Sequence, residues 1–311
     1  MNKVLVFGHK SPDTDTVTSA IVMANLENKL GGDAKACVLG KLNKETKFVF
    51  DYLKIDEPEL ITEVEEGQAV ILVDHNEFAQ SVDGIENAKI KKVVDHHRIC
   101  GLKTAEPLYY RAEPVGCTAT VLYKMYRENN VEIEKNIAVL MISAIISDTL
   151  LFKSPTCTKE DIKVAEELNK IANINIQKYG LDMLKAGTDV SDLSADELIG
   201  LDAKEVTIGN YKTVIAQVNT ASIPDMLKRK DELEKAIITK IEENNLDLFF
   251  LAITDIINSN SQVIALGKEA KLVEKSYNVT LEENTAFLPG VVSRKKQIIP
   301  VLTENVWLYI V

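Results

Sequence analysis

"KVLVFGHKSPDTDT" (residues 3–16) joins a short apolar run to a loop that carries one histidine and two aspartates. Two further Val/Ile-rich runs, at 69–74 and 89–95, also lead into aspartate and histidine, and the segment at about 16–29 has helical spacing. Continuous apolar strands that alternate with helices are typical of a parallel sheet covered on both faces. The first half of the chain is therefore predicted to be an α/β domain.

The rest of the chain predicts further helices and then a second domain. Helical spacing covers about 116–129, 136–148, 158–172 and 175–186. The stretch "GTDVSDLS" (187–194) interrupts this spacing. New strands follow, with a hairpin at Gly209 and Asn210, a charged helix at about 224–244, and apolar strands at 246–256 and 262–267. We predict a smaller α/β domain with a mixed sheet, and divide the chain into 1–187, a linker at 188–193, and 194–311.

Composition narrows the class of protein. The chain has 311 residues, is 46% apolar and 27% charged, and carries a net charge of −11, which is typical of a globular protein and unfavourable for binding nucleic acid. The cysteines (Cys37, Cys100, Cys117 and Cys157) form no CxxC pair and are predicted to be reduced packing residues. No signal peptide and no apolar span near ~20 residues is visible, so we expect no membrane segment and a cytoplasmic location.

Candidate ligand side chains follow all three apolar strands of the first domain. They are His9, Asp13 and Asp15 after the first, Asp74 and His75 after the second, and Asp95, His96 and His97 around the end of the third. These positions include all four histidines of the chain. Because the carboxyl ends of parallel strands share one sheet edge, the side chains should converge there. So many acids would repel one another without multivalent cations, which favours a metal site over isolated structural histidines.

Such a ligand set suits two metal ions that activate a water for in-line attack on phosphorus. Asp148 follows the apolar stretch 136–146 and is either a further acid of this site or the start of a turn. Carboxylates and imidazoles without thiolate favour Mn²⁺, Co²⁺ or Fe²⁺ over an all-oxygen Mg²⁺ site, with Zn²⁺ as an alternative. Mg²⁺ would still be able to enter the site together with a phosphate substrate.

A basic run stands out in the second domain of this acidic chain. It is "VVSRKKQ" (291–297), with Arg294, Lys295 and Lys296 in succession. Such a run is either a solvated face or a clamp for phosphate oxygens, which arginine binds bidentately and lysine binds as a point charge.

Five motifs together resemble one known family. They are "GHKSPDTDT" (8–16), "VDHNE" (73–77), "VVDHHR" (93–98), "ISDTLLFKSPT" (146–156) and "VVSRKKQ" (291–297). Their order and spacing resemble the family II inorganic pyrophosphatases, the manganese- or cobalt-dependent branch of the DHH phosphoesterase superfamily. The resemblance covers the whole chain, and the combination of DHH with SRKKQ is specific where DHH alone is weak. It implies a DHH catalytic domain at 1–187, a DHHA2-type substrate-binding domain at 194–311, and an active site in the cleft between them.

The resemblance also implies roles for individual residues. One metal ion would be held by His9 and Asp13, a second by Asp15 and His96, and both by the shared acids Asp74 and Asp148. Pyrophosphate would be bound by His97, Lys204, Arg294 and Lys295. A metal-bridging hydroxide would attack one phosphorus, and His97 or Asp13 would protonate the leaving phosphate. His75 and Asp95 would orient the ligands.

Further expectations follow from the same family. They are two Mn²⁺ or Co²⁺ ions per subunit, additional Mg²⁺ or Mn²⁺ that arrives with substrate, a homodimer formed through the first domain, and a hinge at 188–193 that lets the domains close. Asp15 and Asp74 are too close in sequence for the nucleotide-binding insertion of some relatives, so control by adenine nucleotides is not expected.

Two other functions compete with pyrophosphate hydrolysis. A DHH phosphodiesterase or exopolyphosphatase would use the same metals on oligonucleotides, cyclic dinucleotides or polyphosphate. Nucleotide-cleaving relatives typically carry a glycine-rich signature in the second domain, which is not visible here. A non-catalytic metal or phosphate sensor would lack a ligand, and no motif position is missing.

Overall fold

The structure, a computed structural model, describes residues 3–310 and the side-chain surroundings of residues 3–306. The chain divides into two compact units, Met1–Gly187 and Thr188–Val311. Among the described residues, no helix combines the length and the apolar character needed to cross a membrane.

The first unit is built on a six-stranded parallel sheet. Its strands are β1 (Val4–Phe7), β2 (Ala34–Val38), β3 (Glu59–Leu60), β4 (Ala69–Val73), β5 (Lys89–Asp95) and β6 (Tyr109–Ala112). They lie in the order β3-β2-β1-β4-β5-β6, and every neighbouring pair is parallel. The predicted parallel sheet is confirmed. The strand order reverses between β1 and β4, and this switch point opens a crevice at the carboxyl ends of those two strands.

Six helices accompany this sheet. They are α1 (Thr14–Lys29), α2 (Lys44–Leu53), α3 (Thr118–Glu128), α4 (Lys135–Thr149), α5 (Lys159–Ala172) and α6 (Ile176–Gly187). Helix α4 is buried at nearly every position from Ile137 to Ile146 because it packs against α1, α3 and α5. Its apolar stretch is thus a core helix. Helix α1 begins earlier than predicted because Asp13 caps it by accepting the backbone N–H of Thr16 at 2.9 Å.

The second unit carries a mixed five-stranded sheet, as predicted. Its strands are β7 (Ala203–Ile208), β8 (Tyr211–Thr220), β9 (Leu248–Asp255), β10 (Asn260–Leu266) and β11 (Thr285–Pro289), in the order β11-β10-β9-β8-β7. Only the β8–β9 pair is parallel. Strands β7 and β8 form the predicted hairpin, in which Gly209 has φ of 60°. All eight residues of β9 are buried, because helices cover both faces of the sheet.

The helices of the second unit differ from the prediction, which contained only the charged helix at about 224–244. They are α7 (Ala195–Gly200), α8 (Ile223–Leu227), α9 (Lys230–Asn244), α10 (Lys271–Tyr277) and α11 (Ile299–Ile310). The single helix predicted at about 224–244 is two helices, α8 and α9. The break contains Arg229, whose guanidinium donates to the carbonyls of Val190 and Leu193 at 3.1 and 2.8 Å.

The four cysteines lie in the described part of the chain, and all are free thiols. Cys37 and Cys117 are buried, while Cys100 and Cys157 are partly exposed.

Candidate metal centre

The carboxyl ends of β1, β4 and β5 bring the predicted ligands together in the first unit. The loop after β1 carries His9 and Asp13, β4 ends just before Asp74, and His96 follows β5. Asp74 is buried and has φ of 60°, a conformation that costs free energy in a residue other than glycine. Its backbone N–H donates to the carbonyl of Val94 at 3.0 Å, which holds it in place.

Four of the predicted ligands form one cluster. The ligand atoms of Asp15, Asp74, His96 and Asp148 all lie within 4.8 Å of one another. The Nε2 atom of His96 is 3.3 Å from Asp74 Oδ1, 3.5 Å from Asp148 Oδ2 and 4.0 Å from Asp15 Oδ2. Asp148 is therefore part of the acidic site and not merely the start of a turn.

A second cluster contains His9, Asp13 and Asp74, again within 4.8 Å. The Nε2 atom of His9 lies 3.4 Å from Asp13 Oδ2 and 3.5 Å from Asp74 Oδ2. Asp74 thus presents Oδ2 to His9 and Oδ1 to His96. One carboxylate shared by two imidazole-containing clusters is the arrangement that two neighbouring cations require.

The ring nitrogens show that these residues fit metal ions. His96 Nδ1 donates to the carbonyl of Val115 at 3.1 Å, and its buried Nε2 has no hydrogen-bond partner among the described residues although three carboxylates surround it. His9 Nδ1 likewise donates to the carbonyl of Lys10 at 2.8 Å, which leaves Nε2 directed at the carboxylates. A lone pair on Nε2 with the proton on Nδ1 is the form in which histidine binds a metal. This donor set of carboxylates and imidazoles suits Mn²⁺ or Co²⁺.

The raised pKa values show that, without cations, the acids and imidazoles of the cluster keep protons. Burial, together with the neighbouring Asp74, raises the pKa of Asp15 to about 7, and burial beside the other acids holds the pKa of Asp148 well above its usual range. Although burial lowers the pKa of an imidazole, the carboxylates raise the pKa of His9 to about 11 and that of His96 to about 9. The site therefore retains protons that metal ions would displace.

Asp95 and Asn76 fix the DHH segment. Asp95 Oδ1 accepts from the backbone N–H of His96 at 2.7 Å and from the backbone N–H and Nδ1 of His97, both at 3.0 Å. Asn76 Nδ2 donates to Asp95 Oδ2 at 2.6 Å, and Asn76 Oδ1 accepts from the backbone N–H of Cys100. The His97 side chain is 53% exposed, its Nδ1 lies 3.7 Å from Asp74 Oδ1 in a group with Asp74 and His96, and no hydrogen bond to its Nε2 occurs among the described residues. The sequence reasoning did not single out Asn76, whose only signal is its place directly after Asp74 and His75.

His75 lies apart from the clusters. Its Nδ1 donates to the carbonyl of Val73 at 2.9 Å, its Nε2 has no partner, and burial lowers its pKa. Neither nitrogen contacts a predicted ligand within the described residues.

Hydroxyl groups that the sequence reasoning missed support the acids. Thr16 Oγ1 donates to Asp74 Oδ2 at 2.6 Å, and Ser19 Oγ donates to Asp15 Oδ1 at 2.6 Å. Thr118 binds both acids, since its N–H donates to Asp15 Oδ2 at 2.8 Å and its Oγ1 donates to Asp74 Oδ1 at 3.0 Å. Because Thr118 is far from both acids in sequence, no local pattern could have indicated this contact.

The second unit holds the predicted basic residues. Arg294 begins a π-helical turn, Arg294–Ile298, and its backbone N–H donates to Gln217 Oε1 at 3.2 Å. Its guanidinium pairs with Asp202, with Nη2 2.7 Å from Oδ1. Lys204, at the start of β7, and Lys295 are both exposed.

Comparisons with known proteins agree with this picture. Residues 3–145 match the model of the DHH family, N-terminal domain, and residues 181–305 match that of the DHHA2 domain. The manganese-dependent inorganic pyrophosphatase of Bacillus subtilis is 59% identical over 305 residues, which cover 98% of this chain and 99% of the relative.

Solved structures give the same result. A putative family II inorganic pyrophosphatase of Methanococcus jannaschii is 40% identical with a TM-score of 0.61, over 98% of this chain and 99% of that one. An exopolyphosphatase-related protein of Bacteroides fragilis shares the fold at 14% identity and a TM-score of 0.50, over 99% of this chain and 92% of that one. The resemblance seen in the motifs is confirmed, and the chain belongs to the manganese-dependent, family II inorganic pyrophosphatases of the DHH family.

Proposed function

We propose that the protein hydrolyses inorganic pyrophosphate to two orthophosphate ions at a centre for two Mn²⁺ or Co²⁺ ions per subunit. The observation that carries the proposal is the position of Asp74, whose two oxygens face His9 and His96 separately. Near full-length similarity to enzymes named manganese-dependent inorganic pyrophosphatases supports the substrate.

The two clusters support a division of the metal ligands. His9 and Asp13 would hold one ion, Asp15 and His96 the other, and Asp74 both. Asp148 lies in the cluster with Asp15 and His96, and its contribution to the other ion is part of the proposal. Bound there, the ions would supply Lewis acidity that neutralises phosphate oxygens and acidifies the attacking water.

His97 is the proposed proton donor to the leaving phosphate. Its hydrogen bond to Asp95 raises the pKa of His97 and keeps the ring turned so that Nε2 is free. A raised pKa increases the protonated fraction near neutral pH, which a general acid requires. Asp13, whose Oδ1 caps α1, is the alternative donor because its partly exposed side chain belongs to the cluster with His9 and Asp74.

Lys204, Arg294 and Lys295 are the proposed substrate-binding residues of the second unit, together with His97 of the first. Their charge would neutralise phosphate oxygens of a substrate that brings additional Mg²⁺ or Mn²⁺ with it. The cleft between the domains, the hinge at 188–193, the homodimer and the cytoplasmic location stay predictions.

The test is phosphate release by protein stripped of metal and then given Mn²⁺ or Mg²⁺ alone. Pyrophosphate, tripolyphosphate and a short oligonucleotide would be compared side by side. We expect release from pyrophosphate only, fastest after loading with Mn²⁺. Cleavage of the oligonucleotide or of tripolyphosphate without pyrophosphate hydrolysis would contradict the assignment of pyrophosphate as the substrate. It would not contradict the proposed metal centre.

A further inference from the structure

Asp161 is a completely buried carboxylate that belongs to none of the candidate metal-binding groups among the described residues. It lies in the first turn of α5, where Thr158 and Asp161 form a capping box. Thr158 donates to Asp161 Oδ2 through its backbone N–H at 2.7 Å and through its hydroxyl at 2.6 Å. These bonds explain why α5 starts at this point. Asp161 makes two further contacts that the helix cap does not require.

Both further contacts reach the start of α3, more than forty residues away. Asp161 Oδ2 accepts from the backbone N–H of Gly116 at 2.9 Å, with a sequence separation of 45 residues. Asp161 Oδ1 accepts from Thr120 Oγ1 at 2.6 Å, with a separation of 41 residues. A buried carboxylate makes such bonds strong, because water does not compete for them and the donors relieve the cost of burying its charge.

The segment 115–118 that Asp161 anchors is the segment that holds the metal ligands. The carbonyl of Val115 accepts from His96 Nδ1 at 3.1 Å. The backbone N–H and the hydroxyl of Thr118 donate to Asp15 and Asp74, at 2.8 and 3.0 Å. Gly116, between these residues, is bound directly to Asp161. Displacing the segment would therefore disturb Asp15, Asp74 and His96 together.

Gly116 also shows how closely the segment lies against α5. A methyl group on Gly116 would lie 2.8 Å from Asp161 Oδ2 and 3.1 Å from the carbonyl oxygen of Thr156. There is no space for a side chain there, so the backbone itself reaches the carboxylate.

We infer that Asp161 is a positioning residue for the metal centre, acting on Asp15, Asp74 and His96 through segment 115–118. The inference rests on the proposed function, since it takes these three residues to be metal ligands. Partners that orient metal ligands typically change metal affinity or activity 10- to 100-fold when they are removed.

The experiment measures the dissociation constant for Mn²⁺ by titrating metal-stripped protein and following free Mn²⁺ by electron paramagnetic resonance. Asp161→Ala removes the cap and both contacts to α3, and we expect Mn²⁺ binding to weaken about 10- to 100-fold. Thr158→Ala is the matched control, because it removes the hydroxyl bonds of the capping box and leaves the backbone N–H of Gly116 and the hydroxyl of Thr120 bound to Asp161. Its affinity for Mn²⁺ should stay close to that of the unaltered protein.

Thr120→Val keeps the test decisive if Asp161→Ala does not fold. It removes one donor to Asp161 at nearly constant volume, and we expect a smaller loss of Mn²⁺ affinity in the same direction. Unaltered Mn²⁺ affinity in folded Asp161→Ala, or in Thr120→Val if the former is unfolded, would overturn the inference. So would an equal loss in Thr158→Ala, because the cap alone would then explain it.

Failure of the proposed function gives a different result. Unaltered protein that binds Mn²⁺ but releases no phosphate from pyrophosphate would overturn the reaction and leave the role of Asp161 to be judged by Mn²⁺ affinity alone.

Discussion

At the scale of single residues, Asp74 shows how the fold concentrates charge. It is buried, has a left-handed backbone, accepts hydrogen bonds from Thr16 and Thr118, and faces His9 and His96. Burial alone raises the pKa of an aspartate, but these partners hold the pKa of Asp74 below its usual range. Asp74 therefore stays ionised while its neighbours Asp15 and Asp148 retain protons, which leaves one carboxylate permanently available to cations.

Asp148→Asn tests the acid that comes from a helix. The substitution keeps the size of the side chain and removes its charge, so we expect about a 100-fold or greater loss of phosphate release and weaker Mn²⁺ binding. Asp182→Asn, on the exposed side of α6, is the matched control and should behave like the unaltered protein. Unchanged turnover and metal content in Asp148→Asn would remove Asp148 from the site.

His97→Gln and His96→Gln test the assignment of the two adjacent histidines. Since His97 is held by Asp95 with Nε2 free, its replacement should lower turnover by about 10²- to 10⁴-fold and change Mn²⁺ affinity little. Replacing His96 should mainly weaken Mn²⁺ binding, because its Nε2 faces three carboxylates. Turnover and metal titrations on both variants distinguish the roles, and the reverse pattern would mean that the two are exchanged.

At the scale of elements, helix ends determine the electrostatics of the centre. Asp13 and Asp15 lie at the N-terminal end of α1, where the helix dipole stabilises a carboxylate. Asp148 lies in the last turn of α4, where the helix dipole destabilises a carboxylate. A cation between the two ends would stabilise both groups of acids. This explains physically why an apolar helix that ends in aspartate belongs to a metal site.

The π-helical turn Arg294–Ile298 begins with the proposed substrate-binding residue Arg294. Arg294→Ala should reduce pyrophosphate turnover, mainly by raising KM, and leave Mn²⁺ binding to the resting protein unchanged, because Arg294 belongs to a separate compact unit. Lys296→Ala removes a neighbouring exposed charge and should have a much smaller effect. Steady-state kinetics and Mn²⁺ titration test both variants. A large loss of resting Mn²⁺ affinity in Arg294→Ala would contradict the assignment of Arg294 to substrate binding.

At the scale of the whole molecule, the metal centre couples stability to pH. Without metal, the folded pKa values are about 7 for Asp15, about 9 for His96 and about 11 for His9, all above the ordinary values of these groups. Between pH 6 and 9 these three groups therefore bind more protons in the folded chain than in the unfolded chain, and their contribution to the free energy of unfolding falls as the pH rises. Asp74, with its lowered pKa, is ionised in both states over this window and adds no slope.

Metal-stripped protein should thus show a Tm that falls from pH 6 to pH 9. Mn²⁺ should raise the Tm by an amount that grows with pH, because metal binding displaces the retained protons. Differential scanning calorimetry with a chelator and with excess Mn²⁺ measures both effects. A Tm of the stripped protein that rises with pH, or a Mn²⁺ effect that shrinks, would contradict the placement of these ionisable groups in one cluster.

The sequence patterns predicted the almost fully buried strands, but they missed several short elements and one break between helices. The apolar runs of β4 and β9 are visible because nearly complete burial demands uninterrupted apolar side chains. Strands β2, β3, β6 and β11 were not predicted, since they are short and partly exposed. Helices α2, α7, α10 and α11 were also missed, although in α2 the buried Thr46, Val49 and Phe50 have helical spacing. The break between α8 and α9 was also missed, because it depends on Arg229 reaching carbonyls more than thirty residues away.

The sequence by itself determined which candidate ligands follow the strands of the first unit and at which sheet edge they gather, because strands of a parallel sheet end at a common edge and their following residues are local in the chain. Only the tertiary structure decided which oxygen of Asp74 faces which histidine, and that Thr118 and Asp161 support the ligands. The contacts of Thr118 with Asp74 and of Gly116 with Asp161 join segments more than forty residues apart. Hydrogen bonds between distant segments leave no periodic trace in a sequence, and they exist only once the core has brought the segments together.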